Sequence, residues 1–533
     1  MRQYIPLTAI LLLALALRVP GWFTADEKTK YELFQPDEYQ HVEVAVSAMK
    51  NWDKELYSDW DVDSKIYNVQ GFGIQMGAVA FVAHLLTGWT PDAAGLIMIG
   101  RILSTLYVLL LIWLTFHIGL HLFHSRLAAL LGAFLLALFD LNVTNSHYAI
   151  PAVAYAFWTY AAIFLIIIFY SNYLGRKPAG DPGWSLSLAV PFTAAAAFAT
   201  KFDFIPTVFA GCILLFLLWR GKFMLKTVVG YAGSYVAFFL LFFYVFTLFN
   251  FGWAEVRHGF DLLYRENHDV IQSDNHLLYN PILYFAGVTG GTSALVMIVF
   301  LITLASLLAR GKAFAGRIAL RWWIFFILLE FLVRWSMDTP FIRRAGIFLP
   351  FVAVLTGRGL AGILRGNLER PLWQRLGSTW LVVLYTLVLT LLSQTNFWFD
   401  PRYRAKNFLT ENYPQAEIYY SPYAYAEGMP PGVREPEKAG LLVLHESFYS
   451  RYWKSFTTPF RYPPECCEEV YHCRSVSECL FYQNLLSGKN EDYELIHRFP
   501  TREYLPERVL FKDLLGSFET FLGDVRIYRK RLN

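Results

Sequence analysis

The chain has 533 residues, of which 56% are hydrophobic, 18% aromatic and only 17% charged, and its mean hydropathy of +0.36 lies far outside the soluble range. That composition excludes a soluble enzyme and predicts a polytopic membrane protein. A formal net charge of +4 over this length gives no reason to expect nucleic acid as a partner.

In chain order, the first apolar run, about 4–19, follows Arg2. A signal peptide would begin this way, but no small-residue cleavage site follows, so the run reads as a retained span. With Arg2 inside, the first loop, about 21–71, faces outward. Within it stand Pro36, Asp37 and Glu38. Pro suits the first position of a helix, where its missing N–H costs nothing, and carboxylates in the first turn suit the helix dipole. A second reading starts from their place just after a span: partial desolvation at a bilayer surface raises a carboxylate's pKa and fits it for work as a base. The run from Pro36 to Met49 puts Tyr39, Val42, Val46 and Met49 on one side, which predicts a helix lying on the membrane surface. The apolar run 72–86 is short and holds Gln75 and His84, predicting an interfacial or re-entrant helix.

Segments of spanning length follow at about 94–118, 127–143, 151–170, 185–200, 203–219, 227–249, 282–308, 322–337, 345–363 and 377–395, roughly eleven spans with the first. The loops predicted to face inward carry Arg126, then Arg176 and Lys177, then Arg220, Lys222 and Lys226, then Arg310 to Arg321, then Arg365, Arg370 and Arg375. This alternation is what the positive-inside rule requires. An odd number of spans leaves the C-terminal part outside. There, four of the five cysteines, Cys466, Cys467, Cys473 and Cys479, lie in one polar stretch, as disulfides in an oxidising space would; zinc ligation is the rival reading. From about Asn396 the composition turns polar, and β-like runs at Gly440 to His445 and Asp524 to Tyr528 predict a small α/β domain. The expected architecture is therefore a helical membrane domain, 1–396, with a small extracytoplasmic α/β domain, 397–533.

The outward loops gather the chemistry. Asp37, Glu38, Glu43, Asp59, Asp61 and Asp63 supply carboxylates; His147, Lys201 and the pair Arg343–Arg344 supply cations and an imidazole. Cations at the outer ends of spans run against the usual charge bias. They suit a phosphate at headgroup level, arginine with its bidentate fork, or else they snorkel or pair with Asp203 and Asp338. His147 is either a substrate contact or a hydrogen-bonded structural residue. Asp37 and His41, four apart, form at most half of a metal site, and Asp140 is a charge near a span end whose partner the sequence does not name.

The order of these features resembles the membrane-embedded glycosyltransferases of the GT-C superfamily. Gln35-Pro36-Asp37-Glu38-Tyr39 through Glu43 resembles the acidic first-loop motif of lipid A aminoarabinose transferases and of dolichol-phosphate-mannose-dependent mannosyltransferases. Ala199-Thr200-Lys201, and Arg344 followed by Leu349-Pro350, resemble segments of the bacterial protein-mannosyltransferase-like branch, and Asp400-Pro401-Arg402-Tyr403 opens the polar part in a similar way. Unlike that branch, no Asp follows His147 and no Tyr-Pro-Pro closes the first loop. The resemblance implies an inverting transfer of a sugar, mannose or a related hexose, from a polyprenyl-phosphate carrier to a hydroxyl of a lipid, glycan or protein acceptor. Asp37 would be the base, Glu38 would orient it or bind sugar, and Lys201, Arg343, Arg344 and His147 would contact the substrate phosphate. The enzyme would work at the outer face of a plasma membrane, among membrane lipids, with no cofactor; nothing in the residues supports a divalent metal. The alternatives are a transporter or flippase of lipid-linked saccharides, and a membrane scaffold whose outer domain does the work.

Overall fold

The computed structural model describes residues 4–22, 37–58, 71–175, 184–201, 225–248, 276–309, 318–335, 342–366, 371–452, 476–515 and 522–531, apart from 422, 427 and 434, with a few further positions between 206 and 258. In chain order the helices are α1 Ile5–Ala16, α2 Val19–Trp22, α3 Asp37–Trp52, α4 Gly71–Thr87, α5 Ala93–Phe123, α6 Arg126–Leu138, α7 Asp140–Ser146, α8 Ala152–Gly175 and α9 Trp184–Lys201. There follow α10 Leu225–Phe243, α11 His276–Thr292, α12 Ala294–Ala309, α13 Ile318–Trp335, a 3-10 turn at Ile342–Phe348, α14 Leu349–Arg365 and α15 Leu372–Trp398.

Among the described residues four helical stretches are long and apolar enough to cross a membrane: Ile5–Trp22, Ala93–Phe123, Ala345–Arg365 and Leu376–Asn412. Two bent pairs raise that to six: α6 with α7 at 56°, and Pro281–Thr292 with Ala294–Ala309 at 117°. The count of eleven is therefore not reached here. Several expected spans are shorter apolar helices, and the expected span 203–219 falls almost wholly outside the described residues. The expected span 282–308 is broken at Ser293 instead of running straight. Its break residues, Gly290-Gly291-Thr292-Ser293, carry small side chains and no apolar gap that a hydropathy reading would register.

Within a bilayer every backbone group freed by a break needs a partner. At the α6–α7 break the carbonyl of Leu136 accepts from Asn142 Nδ2 at 2.9 Å, that of Ala137 from Arg18 Nη1 at 3.3 Å, and that of Leu138 from Thr390 Oγ1. Polar side chains in these apolar segments thus serve the backbone first.

The predicted surface helix is α3, and the structure corrects its setting. Val42, Ala45, Val46 and Met49 pack with Phe72, Met76, Leu96 and Ile97, while Val44 and Ala48 pack on another side with Ile74 and Phe198. The one-sided periodicity missed the second contact because Val44 and Ala48 stand off the stripe of Tyr39, Val42, Val46 and Met49, and two residues one turn apart make no stripe of their own. α4 lies close along α3 because Gly73 and Gly77 have no Cβ to hold the backbones apart.

Past α15, helix α16 Pro401–Asn412 leads into a five-stranded mixed sheet made of β1 Ile418–Tyr420, β2 Gly432–Val433, β3 Leu441–His445, β4 Tyr493–Phe499 and β5 Val525–Lys530, in the order β2-β1-β3-β5-β4. β1 runs parallel to β2 and β3, and β5 antiparallel to β3 and β4. Alternation along β3 sends Leu441 and Val443 to one core, with Ala405 and Leu409 of α16, and Leu442 and Leu444 to the other. That second core includes Phe448 of α17 Glu446–Tyr452 and Tyr482 of α18 Val476–Leu486. Helix α19 Pro506–Leu515 joins β4 to β5. Both β-like runs read from the sequence are strands; Cys466, Cys467, Cys473 and the side chain of Cys479 lie outside the described residues.

Candidate active site

Asp37 is the first residue of α3, and Glu38 the second. Glu38 is fully buried: its Oε1 accepts from Arg101 Nε and its Oε2 from Arg101 Nη2, each at 2.9 Å, and Oε1 also accepts the backbone N–H of Ala149 at 2.7 Å. Arg101, buried inside α5, spends its remaining terminal nitrogen, Nη1, on the carbonyl of Gly21 at 2.9 Å. This fork joins α2, α3, α5 and the segment after α7. Of the two roles expected for Glu38, its geometry suits orientation; both oxygens are engaged away from solvent. The Asp37 side chain lies outside the described residues, but the fork fixes the backbone one residue away.

Lys201 ends α9. Its Nζ stands 5.4 Å from the centre of the Tyr155 ring on α8. Beside it, Thr200 Oγ1 is 3.5 Å from Gln75 Nε2, and Gln75 Oε1 accepts from Tyr107 on α5 at 2.8 Å. Three residues before Gln75 on α4, Phe72 meets the ring of His41 edge-on at 5.7 Å. Helices α3 and α9, which carry the acidic turn and Lys201, thus both pack against α4. Among the described residues no group of three His, Cys, Asp or Glu could hold a metal.

Arg343 and Arg344 lie in the 3-10 turn, and their side chains fall outside the described residues. The turn's backbone is placed firmly: Tyr160 of α8 donates to the carbonyl of Ile347 at 2.8 Å, and the Cβ position of Gly346 is 3.1 Å from Asn145 Nδ2 of α7. α7 then ends at His147. That imidazole is buried, with Nε2 3.2 Å from the carbonyl of Leu17 and its ring 4.6 Å from that of Phe397. It braces the end of α1 against α15. Asp59, Asp61, Asp63, Asp203 and Asp338 lie outside the described residues.

Sequence reasoning overlooked Arg101. An arginine inside an apolar run of spanning length was the available signal, because such a residue must find a partner. It also left Asp140 without a partner, which the structure supplies: Asp140 Oδ2 is 3.0 Å from Arg508 Nη1, and Gln394 Nε2 donates to its Oδ1 at 3.0 Å.

Solved structures share the fold. The oligosaccharyltransferase of Archaeoglobus fulgidus in its apo form aligns with a TM-score of 0.52 at 12% identity, over 99% of this chain and 88% of that one. The archaeal oligosaccharyltransferase AglB from Archaeoglobus fulgidus, in complex with an inhibitory peptide and a dolichol-phosphate, gives 0.50 at 12% identity over the same shares. This chain shares the fold of that oligosaccharyltransferase. ArnT from Cupriavidus metallidurans bound to undecaprenyl phosphate aligns at 0.47 and 14% identity, over 83% of this chain and 94% of that one. No protein-family model and no curated protein matches the chain. The likeness to the oligosaccharyltransferase is thus one of fold, carried by nearly the whole chain.

Proposed function

We propose that this protein is an inverting glycosyltransferase that moves a sugar, mannose or a related hexose, from a polyprenyl-phosphate carrier to an acceptor hydroxyl on the outer face of the plasma membrane. The observation that carries the reading is the buried fork of Glu38, Arg101 and Ala149, which holds the acidic turn of α3 in a GT-C fold. A fully buried ion pair is costly to build, and here it presents one particular carboxylate-bearing turn. The fold supports a lipid-linked donor, since a related structure of that fold holds a dolichol-phosphate and an inhibitory peptide.

In the proposed single displacement Asp37 takes the proton from the acceptor hydroxyl as its oxygen attacks the anomeric carbon, and the carrier phosphate departs with the bonding electron pair. A positioned base contributes on the order of 10²–10⁴-fold. Arg343, Arg344 and Lys201 hold that phosphate and balance its growing charge. Glu38 orients the turn, and residues 397–533 cover the site from outside. The lysine and arginine pattern of the loops and the clustered cysteines support the eleven-span, outward-facing topology.

Purified protein incubated with a panel of polyprenyl-phosphate sugars is expected to consume one of them, read by mass spectrometry. Asp37→Asn is expected to slow that transfer at least ~10²-fold with an unchanged melting temperature; transfer at the wild-type rate in that variant removes Asp37 as the base. The two broken spans favour a second reading, a flippase, because discontinuous helices mark transporter sites. Translocation of an intact lipid-linked saccharide in sealed vesicles, with no sugar transferred, would decide for it.

A further inference from the structure

Both broken spans are held by consecutive residues of one helix of the C-terminal part. On α19, Arg508 reaches Asp140, the first residue after the α6–α7 break, at 3.0 Å. Its neighbour Glu507 accepts the N–H of Ala294, the first residue after the α11–α12 break, at 3.2 Å through Oε1. The second oxygen of Glu507 accepts from Tyr385 of α15 at 2.9 Å, and Gln394, also on α15, donates to Asp140.

The two breaks also touch each other and α19 directly. A Cβ on Gly290 would stand 2.5 Å from Phe511 Cδ2 of α19, and one on Gly291 would stand 2.5 Å from Leu141 Cβ of α7. Two adjacent glycines, one facing each partner, let three helices meet where a larger residue would part them. Ser293 Oγ caps the same end of α12 by accepting the N–H of Val296 at 3.2 Å, so the first turn of α12 is satisfied partly by itself and partly by α19.

We infer that Glu507 and Arg508 are positioning residues: α19 clamps the two broken spans, and through α7 it holds the 3-10 turn that carries Arg343 and Arg344. The link is short. α7 is bound at its first residue by Arg508 and lies at Asn145 against Gly346 of that turn, and α11 packs on the same turn. A bent helix has no i to i−4 ladder across its break, so its direction is set by whatever holds the first residues beyond it. Here that is a carboxylate and a guanidinium from a segment more than 200 residues later in the chain. The C-terminal part is thereby a component of the site's geometry as well as its cover.

This inference rests on the proposed phosphate role of the arginine pair, so the test reads the clamp and the role separately. Hydrogen exchange is followed by mass spectrometry on the full chain in nanodiscs, and binding of undecaprenyl phosphate is measured on the same samples. The variants are Glu507→Gln and the pair Asp140→Asn with Arg508→Met, which does not leave Asp140 as an unpaired buried carboxylate; Glu503, the other carboxylate on Arg508 at 3.3 Å, keeps its contact with Asn396. Exchange is expected to quicken about tenfold at 140–146, 290–296 and 342–348 while α5, β3 and β5 keep wild-type rates, and undecaprenyl phosphate is expected to bind several-fold more weakly. Uniform quickening along the chain, or none at 140–146 and 290–296, overturns the clamp. Quickening there with 342–348 unchanged overturns the transmission through α7. The expected exchange pattern with unaltered carrier binding supports the clamp and overturns the phosphate role of the turn.

Discussion

Glu38 and Arg101 are both withdrawn from water and are paired with each other. Replacing one strands the other, at a cost of about 3–5 kcal/mol, whereas removing both is far milder. Arg101→Met is therefore expected to lower the melting temperature of the solubilised protein sharply, and adding Glu38→Gln to recover much of the loss; losses that merely add would show that the pair is not coupled. Adjacent Asp37 is expected to behave in the opposite way, with activity lost and stability kept. The acidic pair was legible in the sequence as a pair, but the partner of Glu38 was not: 63 positions separate it from Arg101.

Helix α3 shows what periodicity sees and what it misses. Its extent was readable from Pro36 onward, and the structure places it at Asp37–Trp52. Its enclosure was not readable, because contact on the second side comes from close approach of α4 and not from an apolar stripe. A Cβ at Gly73 would lie 2.8 Å from the carbonyl oxygen of His41, which belongs to the α3 backbone and cannot rotate away. Gly73→Ala is thus expected to cost about 1–3 kcal/mol in overpacking, against the ~1 kcal/mol that alanine gains in helix propensity. At Gly233 of α10, where nothing stands within 4 Å of a new Cβ, the same change should raise stability by up to ~1 kcal/mol. Thermal melts of the two variants with shifts of the same sign would refute this account of α4.

Across the whole molecule, the charges of the C-terminal sheet set a pH window for stability. His445 ends β3, buried, with its Nδ1 accepting the N–H of Ser447 at 3.1 Å. Burial first, then the nearby cations Arg402 and Lys512, against the opposing pull of Asp524, hold its pKa well below 6.5. The folded protein keeps it neutral while the unfolded chain takes up a proton, so stability present above pH 6.5 is lost as pH falls below it, by up to about 1.4 kcal/mol per unit. Lys512 works at the other end: burial lowers its pKa, but Glu446 and Asp524 raise it more, so its contribution is present below 10.5 and lost as pH rises through the raised value. Asp524, despite burial, is held below 3.8 by Lys512, Arg498 and Thr501, and its share is lost only as pH falls through that depressed value. Melting temperatures are expected to peak between about pH 6.5 and 10.5 and to fall on the acid side first. His445→Asn should flatten that acid limb; an unchanged slope would assign it to other groups.

Composition, apolar run lengths and helix periodicity determined, without coordinates, that this is a helical membrane protein with an acidic helix start after its first apolar segment and a small mixed α/β part at its end. These are local properties, and hydropathy and side-chain spacing record them directly. Tertiary structure alone decided that α3 is enclosed, that two spans are broken, and that Asp140 and Ala294 answer to neighbouring residues of α19. Those outcomes depend on which distant groups meet once water is removed: a buried charge or a freed backbone group must take whichever partner the fold brings within about 3 Å.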